Sequence, residues 1–222
     1  PGNGARAPDQ SAPLATIDSS AEPVPMTAGA VQPASLPFSD VPEWEWYAEA
    51  VRFVYERGYF VGTGAQLFSP DAAMTRTMFI TVLGRLAKAD ISAYTTYSFA
   101  DVVAGEWYAG YTEWAYRTGV AKGIGKTFFG LYTPVTREEM ATMLYNYAGI
   151  SGHDVTTATG AAMDYIDNEN ISDWARPAME WMTANGIIQG KPGNFLDPAG
   201  PATRAEVAAI VMRFAAIAGS ER

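Results

Sequence analysis

Cysteine is absent and histidine occurs once in the 222 residues. The first absence excludes disulfides, thiolate metal sites and a cysteine nucleophile. The second leaves zinc chemistry short of ligands and makes any histidine-based dyad depend on His153 alone. Cations are scarce as well, with 15 Lys and Arg against 24 Asp and Glu, a formal charge of −9 and a pI near 4.6. Such a field repels a phosphate backbone or an anionic bilayer at long range, so neither nucleic acid nor a membrane surface is an expected partner. No run of 18 apolar residues is present, and the residues after Pro1 lack the basic-then-apolar pattern of an export signal. Membrane insertion is therefore not expected, and the chain reads as a piece of a longer protein. What is present in quantity is apolar material, 48% of residues, enough for a packed core.

That material is unevenly spread. Residues 1–37 hold seven of the 14 prolines and none of the 28 aromatic residues, in a background of Ala, Ser, Thr and Gly. Such a stretch buries too little apolar surface to offset its chain entropy and is expected to be a disordered linker. From Phe38 onward the composition turns aromatic-rich, and a repeat emerges. Phe38-Ser-Asp-Val with Trp46-Tyr47, Phe99-Ala-Asp-Val with Trp107-Tyr108, and Tyr165-Ile-Asp-Asn with Trp174-Ala175 superimpose. Counted from each tryptophan, glycines fall at plus 12 (Gly58, Gly119, Gly186) and plus 16 (Gly62, Gly123, Gly190). A Thr-Arg pair falls at plus 29 and plus 30: Thr75-Arg76, Thr136-Arg137 and Thr203-Arg204. The spacing divides the chain into a linker, 1–37, and repeats at 38–89, 98–149 and 164–218.

Each repeat has helical periodicity twice. Apolar residues at plus 4, 7 and 8 from the tryptophan form one helix face, and the plus-12 glycines are its expected C-terminal stops. A second stripe lies at plus 3, 6, 7 and 10 from the arginine: Phe79, Val82, Leu83, Leu86; Met140, Met143, Leu144, Tyr147; Val207, Ile210, Val211, Phe214. One helix pair cannot bury such a stripe, so the second helices are expected to pack together, or against neighbouring first helices, around a common core. The Thr-Arg pairs are expected at groove mouths around the molecule.

The repeated polar residues divide into structural and binding candidates. Thr75, Thr136 and Thr203 read as N-caps, and Glu139 and Glu206 complete capping boxes that repeat one lacks, having Met78 instead. Arg76, Arg137 and Arg204 sit at the first helical position, where the helix dipole disfavours a cation by about 0.3–1 kcal/mol. Ligand contact explains that placement, since free helix-start amides plus a guanidinium make a receptor for a carboxylate or phosphate. A salt bridge to Asp40, Asp101, Asp167 or the adjacent capping glutamate is the alternative. Trp46, Trp107 and Trp174 fit core packing by default, or a platform for a sugar ring. Asp40, Asp101 and Asp167 fit loop or helix-entry caps, or ligand contacts. Gly62, Gly123 and Gly190 fit turn formers, or places of close backbone approach. His153 fits a solvated loop residue.

The unit F-x-D-V, W-Y, G, G, F-x-P, T-R-x-E resembles the S-layer homology domain, with Thr203-Arg-Ala-Glu206 its most specific piece. Phe68-Ser-Pro70 and Phe195-Leu-Asp-Pro198 match the preceding segment; repeat two, Phe128-Phe-Gly-Leu-Tyr-Thr-Pro134, departs from its spacing. Three consecutive copies resemble the trimeric cell-wall anchoring module of exported proteins of Gram-positive bacteria. The resemblance implies an all-α, pseudo-threefold fold of three helix-loop-helix repeats with a shared helical core and grooves between repeats. It implies extracellular location at the cell wall or S-layer, and fusion to another domain N-terminal of the linker. It also implies non-covalent binding of a secondary cell-wall polysaccharide, commonly pyruvylated on N-acetylmannosamine, with no cofactor, metal or catalytic residue. Its ligand arginine corresponds to Arg76, Arg137 and Arg204; the tryptophans, aspartates and plus-16 glycines named above complete the candidate glycan-contact set. Met78 and Ala175 break the pattern, so the three grooves are not expected to be equivalent. The alternative is a protein–protein assembly module of a surface layer without a glycan ligand. A glycosidase using Asp101 and Glu106 is disfavoured, because no distinctive catalytic motif accompanies the pair.

Overall fold

The computed structural model describes residues 36–156 and 164–220, with side chains to residue 218. The expected linker, 1–37, lies outside the described residues except for its last two positions. Six α-helices follow in order: α1 (Ala48–Glu56), α2 (Arg76–Leu86), α3 (Ala109–Arg117), α4 (Arg137–Ile150), α5 (Arg176–Ala184) and α6 (Arg204–Ser220). The described residues contain no strand, only isolated β-bridges, so the fold is all-α.

Each unit pairs a short helix with a longer one for reasons visible in the chain. Gly58, Gly119 and Gly186 take φ of +68°, +80° and +66°, the left-handed conformation that ends α1, α3 and α5 without a Cβ penalty. Pro177 lies in the first turn of α5, where its missing amide proton costs little. Thr75 and Thr136 are extended at the N-caps of α2 and α4, and their hydroxyls accept from Met78 N and Glu139 N, both at 3.2 Å.

The units close into a ring. α3 packs on α2, α5 on α4, and α1 returns to α6, so each second helix takes the next unit's first helix as its main partner. An open solenoid is excluded. Met74 N donates to Ala202 O (2.9 Å), Ala202 N to Val135 O (3.0 Å) and Val135 N to Met74 O (2.9 Å), a closed triangle on the pseudo-threefold axis. All three residues are buried, so no water competes for these bonds. The Thr-Arg pairs therefore start beside the axis, because the residues preceding them pair across it, and Arg137 enters a groove wall from there. The stripe residues are buried in one continuous core with Leu86 and Tyr147 at its edge.

Candidate functional site

At the start of each second helix the backbone donors are already used. The Arg76, Arg137 and Arg204 amides donate to Thr133 O (3.0 Å), Gly200 O (2.9 Å) and Ala72 O (2.9 Å) of the next unit round the ring. The following amides, of Thr77, Glu138 and Ala205, donate to Leu131 O (3.4 Å), Pro198 O (2.9 Å) and Pro70 O (2.9 Å). The threonine hydroxyl takes the third amide in each case. The expected anion receptor of free helix-start amides is thereby corrected: these donors join unit to unit.

The arginine side chains follow the same direction. Arg76 Nε donates to Phe129 O (3.1 Å), Nη2 to Lys122 O (2.6 Å) and Nη1 to Glu139 Oε1 (2.9 Å). Arg137 repeats this one unit on, with Leu196 O (2.7 Å), Gln189 O (3.0 Å) and Glu206 Oε2 (3.4 Å). Arg204 closes the ring through Phe68 O (2.7 Å) and Val61 O (2.8 Å). The dipole penalty is thus outweighed by charge-assisted bonds across an interface. The salt bridge considered from the sequence forms with the next unit's glutamate, not the arginine's own. Burial pushes the Arg76 guanidinium below its ordinary value, with Glu139 opposing. It pushes Arg204 to about 10, with Asp40 opposing, which still leaves a cation at neutral pH.

Glu139 and Glu206 each serve twice. Glu139 Oε2 accepts from Thr136 N (3.1 Å) and Glu206 Oε2 from Thr203 N (3.0 Å), completing capping boxes, while both carboxylates also meet the preceding unit's arginine.

The aspartates clamp their own units. Asp40 accepts from Phe68 N (2.8 Å) and Ser69 N (2.7 Å), Asp101 from Phe129 N (2.8 Å) and Gly130 N (2.9 Å), Asp167 from Leu196 N (2.8 Å) and Asp197 N (2.7 Å). Both oxygens of each carboxylate thus tie the entry segment to the loop whose carbonyls the arginines grip. The plus-16 glycines lie beneath the aromatic residue that opens the unit. A Cβ on Gly123 would stand 2.5 Å from Phe99 Cε1, and one on Gly190 2.4 Å from Tyr165 Cε1. On Gly62 it would stand 3.0 Å from Phe38 Cε1.

The tryptophans are exposed, which corrects core packing as their default. Trp46 is 62% exposed, and Trp107 and Trp174 also face solvent, while Tyr47 and Tyr108 turn into the core. Each tyrosine meets its tryptophan edge-on, with centroids at 5.3 and 5.4 Å. Ala175 gives Trp174 no such support.

A groove of about 320 Å³ at the boundary of units three and one is lined by residues of three units. Trp46 comes from unit one, Arg137 from unit two, and Gly190, Lys191, Glu206 and Arg213 from unit three. Column residues of different units, 53 to 160 positions apart in the chain, meet there because the ring closes. Asp167 lines an adjoining recess of about 270 Å³ with Lys191, Pro192, Phe195 and Asp197. Lys191 carries no repeat signal, its counterparts by spacing being Thr63 and Ile124, whereas the column of Arg213 holds Arg85 and Asn146, and each of these three donates to a carbonyl of its own unit, at Ile187, Tyr59 and Val120. Lys191 Nζ lies 2.7 Å from Asp197 Oδ2 and 3.4 Å from Glu206 Oε1. His153, expected in solvent, is half-buried, its ring 5.7 Å from that of Phe214. Among the described residues no cluster of three or more His, Asp or Glu suits a metal ion, and no helix is long and apolar enough to cross a membrane.

The structure is thus a closed ring of helical units with three exposed indoles, one of which, Trp46, lines an inter-unit groove. The family model for the S-layer homology domain matches residues 37–76 and 167–208, so units one and three each carry a segment of that family. Unit two lies between the matched segments and repeats their hydrogen bonds. The chain is 32% identical to exoglucanase XynX of Acetivibrio thermocellus over 80% of its length, which is 16% of that protein. It is 32% identical to an amylopullulanase of Thermoanaerobacterium thermosulfurigenes over 78% of its length, 9% of that protein. With the surface-layer 125 kDa protein of Lysinibacillus sphaericus it shares 28% identity over 85% of its length, again 16% of the relative. The chain thus spans less than a fifth of each. A segment common to such different proteins, and minor in all of them, is a surface-attachment module and not the seat of a shared activity.

Proposed function

We propose that the chain fastens a longer protein to the bacterial cell wall by binding a pyruvylated secondary cell-wall polysaccharide in its inter-unit grooves. Residues 38–89, 98–149 and 164–218 act as the three anchoring repeats, and the arginine, tryptophan, aspartate and plus-16 glycine columns build the grooves. The observation that carries this reading is the meeting of Trp46, Arg137, Lys191 and Arg213 in one groove. An exposed indole offers a face to the apolar side of a sugar ring, and the polar side chains beside it offer hydrogen bonds to its hydroxyl groups. Because the chain carries −9, attraction has to be short-range; beyond roughly 8 Å physiological salt screens the net repulsion. Titration with purified wall polysaccharide before and after removal of the ketal tests the reading. Tight binding that falls on removal supports it, and equal or absent binding contradicts it.

One observation favours the assembly reading instead. Trp44 is 84% exposed and has Gly105 and Ser172 as its counterparts by spacing, so it belongs to no repeated groove. Self-association that persists without glycan and is lost in Trp44→Ala would support an added assembly role.

A further inference from the structure

We infer that Arg204 of unit three, seated on unit one through Phe68 O and Val61 O, reads the ligand's carboxylate at the place where Arg76 and Arg137 meet an internal glutamate. This rests on the glycan reading above and specifies which arginine takes the acidic group.

The three guanidinium groups share one pattern of partners. In each, Nε bonds a carbonyl of the segment clamped by the aspartate, at Phe129, Leu196 or Phe68. Nη2 bonds the carbonyl just before the plus-16 glycine, at Lys122, Gln189 or Val61. With two nitrogens held alike, the third has the same heading in all three units. Arg76 Nη1 meets Glu139 at 2.9 Å and Arg137 Nη1 meets Glu206 at 3.4 Å. The equivalent position opposite Arg204 is Met78, and among the described residues Arg204 forms no ion pair. The Asp40 carboxylate, which acts on Arg204 electrostatically, has both oxygens committed to the Phe68 and Ser69 amides. The Phe60 and Phe68 rings lie 5.3 and 4.5 Å from the guanidinium carbon, which offers quadrupole attraction but no counter-charge.

Arg204 is only 5% exposed, so water compensates it poorly. A buried cation that lacks its counter-ion is costly, and an anion supplied from outside removes that cost. The arginine is prepositioned by its two carbonyl bonds, so little is lost in ordering it on binding. In the other grooves an incoming carboxylate meets an arginine already paired and a glutamate that repels it. In the Arg137 groove the glutamate itself lines the wall. The carboxylate is therefore taken once per chain, at Arg204, while the remaining grooves serve the neutral face of the polymer.

The test restores the missing internal acid. Full-length chain, Met78→Glu and the neutral control Met78→Gln are titrated calorimetrically with an N-acetylmannosamine glycoside carrying the pyruvate ketal, and their melting is followed with and without sodium pyruvate. The wild type is expected to bind one equivalent tightly, Met78→Glu at least about tenfold more weakly, and Met78→Gln within about threefold. Unchanged binding by Met78→Glu overturns the assignment, as does an equal loss in Met78→Gln, which would make bulk and not charge the cause. If the wild type ignores the ketal sugar, the glycan reading fails by itself. Pyruvate then decides the groove: a rise in melting temperature for wild type but not Met78→Glu upholds the Arg204 site, and an equal response, or none in either, overturns it.

Discussion

The starts of α2 and α4 differ by one side chain and, through it, in two functions. At α4, Thr136 and Glu139 exchange both capping bonds, and Glu139 then neutralises Arg76 from the preceding unit. At α2, Thr75 caps alone, Met78 returns nothing, and Arg204 is left without a carboxylate. A residue that looks like a local cap is thus also the counter-charge of an inter-unit joint. One substitution consequently unbalances a helix start in one unit and an arginine in another.

Removing the arginines gives the largest effect and separates the two kinds of joint. Arg76→Met strands a partly buried glutamate and two carbonyls and should cost about 3 kcal/mol in urea unfolding. Arg204→Met strands carbonyls only, while discarding an unpaired buried charge, and should cost roughly 1–2 kcal/mol. Equal losses would break the comparison. Gly123→Ala comes next, at roughly 1–3 kcal/mol by overpacking against Phe99, read from the same unfolding curves. Glu139→Met, which gives unit two the arrangement of unit one, should cost about 1–2 kcal/mol, since half a capping box and the counter-charge of Arg76 are lost together. Its melting should become insensitive to the residue at 136 beyond the single hydroxyl bond. Trp46→Ala should change stability by less than about 0.5 kcal/mol, because the indole is exposed, yet should weaken glycan binding measured by calorimetry. Tyr47→Ala, buried beside it, should show the reverse.

Much of this was legible from spacing. The tryptophan ruler located both helices of each unit, the glycines that end α1, α3 and α5, and the threonine caps, because all of these depend on neighbours within one turn. The family resemblance rested on the same columns. The arginine's use was not legible, since its partners lie 46 to 63 residues away in Arg76 and 136 to 143 in Arg204. A dipole argument at one helix end has no access to bonds of that range, and at these positions the long-range bonds dominate. The Trp-Tyr pairs posed a related problem. They precede the helix in a turn, where helical periodicity does not decide which of two adjacent rings faces inward. Lys191 escaped because a repeat-based reading discards residues that occur once, although a groove is specified by its unrepeated residues as much as by its framework.

The most direct test of attachment through exposed indoles on a self-supporting ring is one calorimetric titration. Wild-type chain and the triple variant Trp46→Ala, Trp107→Ala, Trp174→Ala are each titrated with purified wall polysaccharide after their melting curves have been matched. The account predicts that the variant melts with the wild type and no longer binds. Polysaccharide binding that survives in a variant with intact melting would contradict it.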